Sequence, residues 1–453
     1  MPHEGEYAHY RPIHRITESQ RVKSLLSRSR KLETESLSVS VSPFVAPECR
    51  FDLPRLLLAI DGSYAEVDVA TGYPGAKVGY CTAATVLIDL DLIGKLDEYR
   101  PVNPVEFRKT EQAACVDRAL PGSNIVTRRQ TSPRASFREE LYDIFVETIV
   151  DEDDGTNLLS TYEALLALKP SNRPQSCPYK ESHGCDGTMI VPAGFSKCPA
   201  CGNPIYSTDA LRIHERFNDI GGNGEAFGLV MQVIERLLFI HFMRCFERGN
   251  VLPRLDSLAF FVDGPLAVFG PPAWLSAAIS TELKRLNKLF RQSTGNDLII
   301  VGIEKTGEFV DHFLTIDETE VPGKALFKAQ QYALLTDDYI KKRIHLSDSK
   351  KRYGQDTYFG RKFFYKTKNG AKVVASIPFL NEEQDRIDTD DASLYTRFPV
   401  VCSLLDSVVS SRYVNAVSPL VTAHAHAAIP LHLGSKVLTQ LARALLGTAE
   451  NGK

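Results

Sequence analysis

The chain has 453 residues, 43% of them hydrophobic and 24% charged, with a formal net charge of −3. That length allows two or three domains, or one large domain with insertions, and the composition is that of a globular chain with a substantial core. The near-neutral balance excludes a wholly basic DNA-coating protein, though not an enzyme with a local basic surface.

Residues 1–48 are polar, rich in Arg and Ser, and predict an arm with one helix across Ser19–Leu37. The first residues, Met1–Tyr7, lack an apolar signal core, so a cytoplasmic location without membrane association is expected. Leu56–Ile60 is a short apolar run suited to a buried strand, and it leads directly into Asp61, Gly62 and Ser63. We expect Asp61 at the strand end and Gly62 at a turn. Lys77–Ile93 reads as one or two further strands. Ser136 and Glu139 have capping-box spacing for a helix with Phe137, Leu141, Ile144 and Phe145 on its apolar face, and Leu158–Leu168 predicts another.

Pro170 and Pro174 end the helical pattern, and four of the nine cysteines follow as Cys177-x7-Cys185-x12-Cys198-x2-Cys201. An odd total with one tight cluster argues for a reducing interior and a metal rather than a disulfide framework. The Cys198–Cys201 pair before Gly202 has zinc-knuckle spacing, and a structural Zn²⁺ is expected at all four, with His183 as a substitute for Cys185. Ala226–Glu247 predicts a long amphipathic helix, interrupted by too many ionisable residues to be a simple membrane span. Leu258–Val262 then repeats the earlier grammar, ending in Asp263 and Gly264. A helix opening at Pro271-Pro272 and a strand over Leu298–Ile303, running into Glu304 and Lys305, complete a βαβ pattern. Asn369-Gly370 predicts a hairpin between Tyr358–Tyr365 and Lys372–Ile377, and 390–447 reads as mostly helical.

Two-metal phosphodiester hydrolysis needs several carboxylates around hard cations. Asp61 and Asp263 supply two, and the long helix offers Glu235 or Glu247. Glu235, set among Met231, Val233, Ile234 and Leu238, requires a compensating partner, whereas Glu247 lies near the helix end. A lysine such as Lys305 on the same rim would neutralise phosphate charge. Between Lys341 and Lys372, Lys341, Lys342, Arg343, Lys350, Lys351, Arg352, Arg361 and Lys362 alternate with tyrosines and phenylalanines. That composition suits a single-strand DNA channel; the alternative is a solvated hairpin with its aromatics in the core.

Together Ala59–Ser63, the helix bearing Glu235, Asp263–Leu266, Val301–Lys305 and Ser418–His426 resemble the NurA nucleases, in order from Arg55 to Leu446 outside the cysteine segment. The resemblance implies an α/β fold, an RNase H-like core with a mixed sheet flanked by helices and a C-terminal helical region; the cysteine segment adds a small Zn-binding insertion that is not a general feature of the family. The chain is then expected to divide into a 1–48 arm, a nuclease domain in two halves (49–170 and 216–450), and a zinc-ribbon-like insertion at 171–215. The resemblance also implies a Mn²⁺- or Mg²⁺-dependent nuclease acting on DNA ends and single strands, as a homodimer partnered by a hexameric HerA-type ATPase. Carried over by motif, Asp61, Glu235 and Asp263 are metal ligands and His426 completes the site, with His424 competing for that place. The family's tyrosine before Pro419 is Ser418 here, which passes any role of that tyrosine to Tyr413 or removes it. Two other readings remain: an inactive zinc-bearing scaffold, and an actin-like phosphotransferase. The second lacks the expected P-loop or Gly-rich adenosine motif.

Overall fold

The computed structural model describes residues 11–29, 40–70, 75–93, 111–150, 155–170, 173–318, 325–384, 390–409, 418–429 and 433–450. The chain divides into two compact units, residues 1–40 and 41–453. In the first, α1 (Arg11–Glu18) and α2 (Gln20–Arg28) bury no side chain. Ser19 caps α2 by accepting from the Val22 amide, and Ser29 is already extended, so the helix expected to run to Leu37 stops at Arg28. Residues 30–37 lie outside the described residues.

In the second unit one mixed sheet of nine strands forms among the described residues. In chain order they are β1 (Phe44–Val45), β2 (Leu56–Ala70), β3 (Ala76–Asp89), β4 (Glu111–Pro121), β5 (Leu258–Asp263), β6 (Ile299–Glu304), β7 (Gln331–Leu334), β8 (Gly360–Lys366) and β9 (Lys372–Pro378). Their order across the sheet is β1-β7-β8-β9-β6-β5-β2-β3-β4. The antiparallel meander β2–β3–β4 continues into β5 and β6, both parallel to β2. That is the expected RNase H-like core. A parallel neighbour needs a crossover, and the long segment between β4 and β5 supplies one.

Helices cover both faces. On one lie α3 (Pro133–Glu147), α4 (Leu158–Ala167), α5 (Gly224–Arg248) and α6 (Leu275–Thr294), enclosing Ile60, Phe137, Leu237 and Phe260. On the other, α8 (Phe398–Val408) and α9 (Ser418–Ala427) cover Leu57, Ala59, Phe261 and Val301, after α7 (Glu308–Ile316) and before α10 (Leu433–Glu450). Strands buried on both faces are apolar at successive positions rather than alternating, which explains Leu56–Ile60 and Leu258–Val262. Helix α5 is long and apolar enough to cross a membrane by composition alone, but 78% of its apolar window is buried, as befits a core helix.

Several local expectations are corrected. β2 does not end at Asp61; it runs 15 residues to Ala70, pairing with β3 after its contact with β5 stops at Ile60↔Val262. Gly62 is therefore in-strand, opposite Ala83, and not a turn residue. Helix α3 is capped by Ser132 with Pro133 at its first position, and Ser136 lies inside it. β4, whose residues at 112–115 are exposed, escaped the apolar-run criterion. The hairpin around Asn369-Gly370 forms as expected, with Gly370 at φ +85°.

Candidate active site and metal centre

Strand register builds the site. β2 and β5 pair in parallel up to Ile60↔Val262, so the next residues of both strands, Asp61 and Asp263, emerge side by side. β6 pairs with β5 through Ile303↔Asp263 and delivers Lys305 to the same rim. Lys305 Nζ lies 2.8 Å from Asp263 Oδ1 and 3.2 Å from Asp61 Oδ2, joining the two acids. From α9, His424 Nδ1 sits 3.3 Å from Asp61 Oδ2.

Glu235 enters from α5 on the opposite face, 4% exposed. Gly62 makes the approach possible: a Cβ there would lie 2.6 Å from Glu235 Oε1 and 2.8 Å from Met231 Cγ. The next residue, Arg236, spreads its guanidinium over the carbonyls of Asp263, Pro265 and Ala267 and pins the loop after β5. It also stands 3.4 Å from Glu235 Oε2.

The electrostatics show the strain of gathering acids in a dry place. Burial pushes the Glu235 carboxyl up to about 8; Arg236 and the Gly62 amide oppose the rise, and the charges of Asp61 and Asp263 add to it. Burial also raises the Asp61 carboxyl, helped by Asp263 and opposed by Lys305 and His424. For Lys305, burial disfavours the ammonium, but Asp263 and Asp61 prevail and hold its pKa above the usual lysine range.

The donor set suits a hard divalent cation: three carboxylates on rigid elements, and Asp263 Oδ1 buried with no hydrogen bond beyond the ion-pair contact with Lys305. In this arrangement the Lys305 ammonium occupies the space between the two aspartates. Among the described residues, only the insertion cysteines bring three or more ligand atoms within 4.8 Å of one another.

Glu247, the other helix acid, is bound to Arg285 at 2.6 Å on the surface and takes no part. His426 does not reach Asp61; the structure places it two residues further along α9, lining a neighbouring cleft. Sequence spacing left two histidines open, and helical geometry separates them, since positions two apart face different ways. Tyr413 lies outside the described residues.

The basic segment is corrected most. Arg361 and Lys362 are buried at 3% and 4%, so they cannot line a DNA channel. Lys362 Nζ sits 2.5 Å from Glu304 Oε1 and 3.7 Å above the Phe309 ring, while Phe363, Phe364 and Tyr365 are fully buried in the sheet. Lys341, Lys342 and Lys351 are paired with Asp337, Asp338 and Asp356. Lys350 and Arg343 are exposed, and Arg352 is half-buried. A strand buried on both faces must place even its charged side chains inside, and Glu304 supplies the counter-charge.

The four cysteines converge from two short hairpins, Gln175–Ser176 with Thr188–Met189 and Phe195–Lys197 with Pro204–Tyr206. Sulfur pairs Cys177–Cys201 and Cys185–Cys198 lie 3.9 Å apart. Burial opposes ionisation of Cys198, but the amides of Cys201 and Ala200 and the Cys177 thiol bring it down to about 7. A closed tetrad with one readily ionised thiol fits a structural Zn²⁺. His183 is outside the tetrad, its Nδ1 bonded to Ser182 Oγ. The module is tied to α3 by the buried Arg138–Asp209 ion pair at 2.7 Å, with Arg138 lying 4.6 Å over the Tyr179 ring.

A family model described as the NurA domain matches residues 55–429, more than four-fifths of the chain. The chain belongs to the NurA family. Two solved NurA structures are similar over nearly their whole length. The crystal structure of the NurA nuclease from Sulfolobus solfataricus is 10% identical, with 97% of each chain covered and a TM-score of 0.36. A second NurA crystal structure is 12% identical, with 96% of each chain covered and a TM-score of 0.28. None of the curated proteins matches the chain. The NurA match spans Asp61, Glu235, Asp263 and Lys305 as well as the cysteine insertion.

Proposed function

We propose that this NurA-family protein is a metal-dependent deoxyribonuclease acting on DNA ends and single strands. The observation that carries the reading is the junction of Asp61 and Asp263 at the end of the β2–β5 pairing, with Lys305 joining them and Glu235 packed over Gly62. Asp61, Glu235 and Asp263 are the residues that would hold Mn²⁺ or Mg²⁺. Such ions, when bound, activate water and stabilise the leaving oxygen of a phosphodiester.

The chain's own groups do the rest. Lys305, between Asp61 and Asp263, would neutralise charge on the scissile phosphate. His424, beside Asp61, is placed to pass a proton to or from the reacting oxygens. Arg236 fixes the loop after Asp263 and so orients that carboxylate. Exposed Lys350 and Arg343 are candidates for backbone contacts with DNA. A homodimer and a HerA-type hexameric ATPase as partner, in DNA end processing or in defence against phage DNA, complete the reading on the strength of the family resemblance.

The test is degradation of end-labelled single- and double-stranded DNA by the purified protein with Mn²⁺, with and without an ATP-driven partner, beside Asp61→Ala. Activity in the wild type and its loss in the variant are expected. Equal degradation by both would remove Asp61 from the site.

A further inference from the structure

Next to the acidic site a cleft of about 630 Å³ opens between the outer strands of the sheet and the C-terminal helices. That volume is within the roughly 300–1,000 Å³ of small-molecule pockets. Its floor is the face of β3 and β4 that carries Tyr80, Thr82, Asp117 and Ala119, which pair as Tyr80↔Ala119 and Thr82↔Asp117. Its roof includes His426 from the end of α9 and Leu438 from α10.

Register ties this cleft to the site. Thr82 is directly opposite Ser63, and Asp61 opposite Ala84, so Asp61, Ser63, Thr82 and Asp117 all present the same face of the sheet. Ser63 lies about 7 Å along β2 from Asp61, and its hydroxyl accepts from the Ile429 amide at 3.4 Å. Helix α9 thus sends His424 to Asp61 and His426 into the cleft.

The chemistry of the lining selects a ligand. Thr82 is 7% exposed and its Oγ1 is buried with no hydrogen-bond partner; rotation about χ1 would turn that hydroxyl towards a group bound in the cleft. Asp117 adds an exposed carboxylate, an acceptor that repels phosphate. The nearby guanidinium of Arg118 belongs to the opposite face, where it is bound to Thr148 Oγ1. Apolar walls, one tyrosine, one imidazole, an acceptor and a free hydroxyl match the flat face and amino edge of a nucleobase, not a phosphate.

We propose that this cleft is a nucleobase subsite. It receives the base beside the phosphodiester held at Asp61 and favours bases with an exocyclic amino group over thymine. The inference rests on the nuclease reading of the Asp61 site.

The test compares (dC)15 with (dT)15, since cytosine offers an amino edge and thymine does not. Cleavage rates are measured with Mn²⁺ for the full-length wild type, Thr82→Val, Asp117→Ala and Asp61→Ala. Binding of the labelled oligonucleotides is measured in parallel by anisotropy in the Asp61→Ala background. We expect the wild type to cleave (dC)15 at least fivefold faster. Thr82→Val and Asp117→Ala should each shrink that ratio at least threefold, with the same loss of preference in binding and an unchanged melting temperature. Equal handling of both oligonucleotides by an Asp61-dependent wild type overturns the subsite and leaves the nuclease reading standing. Undiminished cleavage by Asp61→Ala removes Asp61 from the nuclease site and overturns the subsite with it. A third variant, Ala119→Phe, fills the cleft: weaker (dC)15 binding by a protein of unchanged size supports the subsite. A change in oligomeric state by light scattering would instead make the cleft an interface between copies and overturn it.

Discussion

Gly62 and Glu235 share one space: the carboxylate of Glu235 stands where the side chain of any residue but glycine at position 62 would begin. Gly62→Ala should therefore cost about 1–3 kcal/mol by overpacking, and should abolish activity by displacing the acid. In a Glu235→Ala background the same substitution should cost markedly less. A double-mutant cycle by denaturant unfolding checks this, and additive losses would show that the two residues are not coupled.

The Lys305 ammonium joins two carboxylates, one of them almost fully buried. Lys305→Met should leave Asp61 and Asp263 facing each other with only His424 beside Asp61, lowering stability by about 3 kcal/mol or more in chelator. Millimolar Mn²⁺ should restore much of that loss, because a ligand that binds only the folded state stabilises it by mass action. Melting temperatures of wild type and variant, with EDTA and with Mn²⁺, measure the effect. No recovery in Mn²⁺ would count against these acids as a metal site.

Lys362 should behave as an interior residue. Lys362→Ala leaves Glu304 buried without its partner and should cost about 3–5 kcal/mol. The salt dependence of DNA binding should not change, whereas Lys350→Glu should weaken DNA binding with little effect on stability. A flattened salt slope for Lys362→Ala, in protein that remains folded, would restore its place in a DNA channel.

How much of this was legible in the sequence follows from what each signal measures. The apolar runs before Asp61 and Asp263 revealed two buried parallel strands because burial on both faces suppresses alternation. The knuckle at Cys198 and Cys201 revealed the cysteine tetrad because thiolate spacing is local. Burial of Lys362 was hidden, since a lysine stretch reads as solvated unless the partner, here Glu304 from a strand 58 residues earlier, is known. Which of His424 and His426 stands beside Asp61 was hidden for a similar reason: it depends on the rotation of α9 against β2. The extension of β2 past Asp61 depends on pairing with β3, which no short motif encodes.

His214 supplies a pH dependence. It is buried beside Asp209 and Arg138, and burial foremost pushes its imidazole down to about 4, with Asp209 opposing and Arg138 assisting. The unfolded chain therefore binds a proton at about 6.5 that the folded one refuses until about 4. Stability from this group is complete above pH 6.5 and is lost as the pH falls towards 4, by about 3 kcal/mol. Unfolding of wild type and His214→Gln between pH 7 and 4.5 should show a steeper acid loss in the wild type; parallel curves would contradict it.

Adjacent positions on α5 have opposite duties, one reaching the acids and the next stapling the loop after Asp263. Since each helical residue turns the chain by about 100°, inserting or deleting one residue between Asn223 and Glu235 would swing both off target together. The cysteine module, entering before that helix, carries no such phase constraint. The fold can thus grow by whole modules upstream of α5 while the length of its first three turns is held fixed.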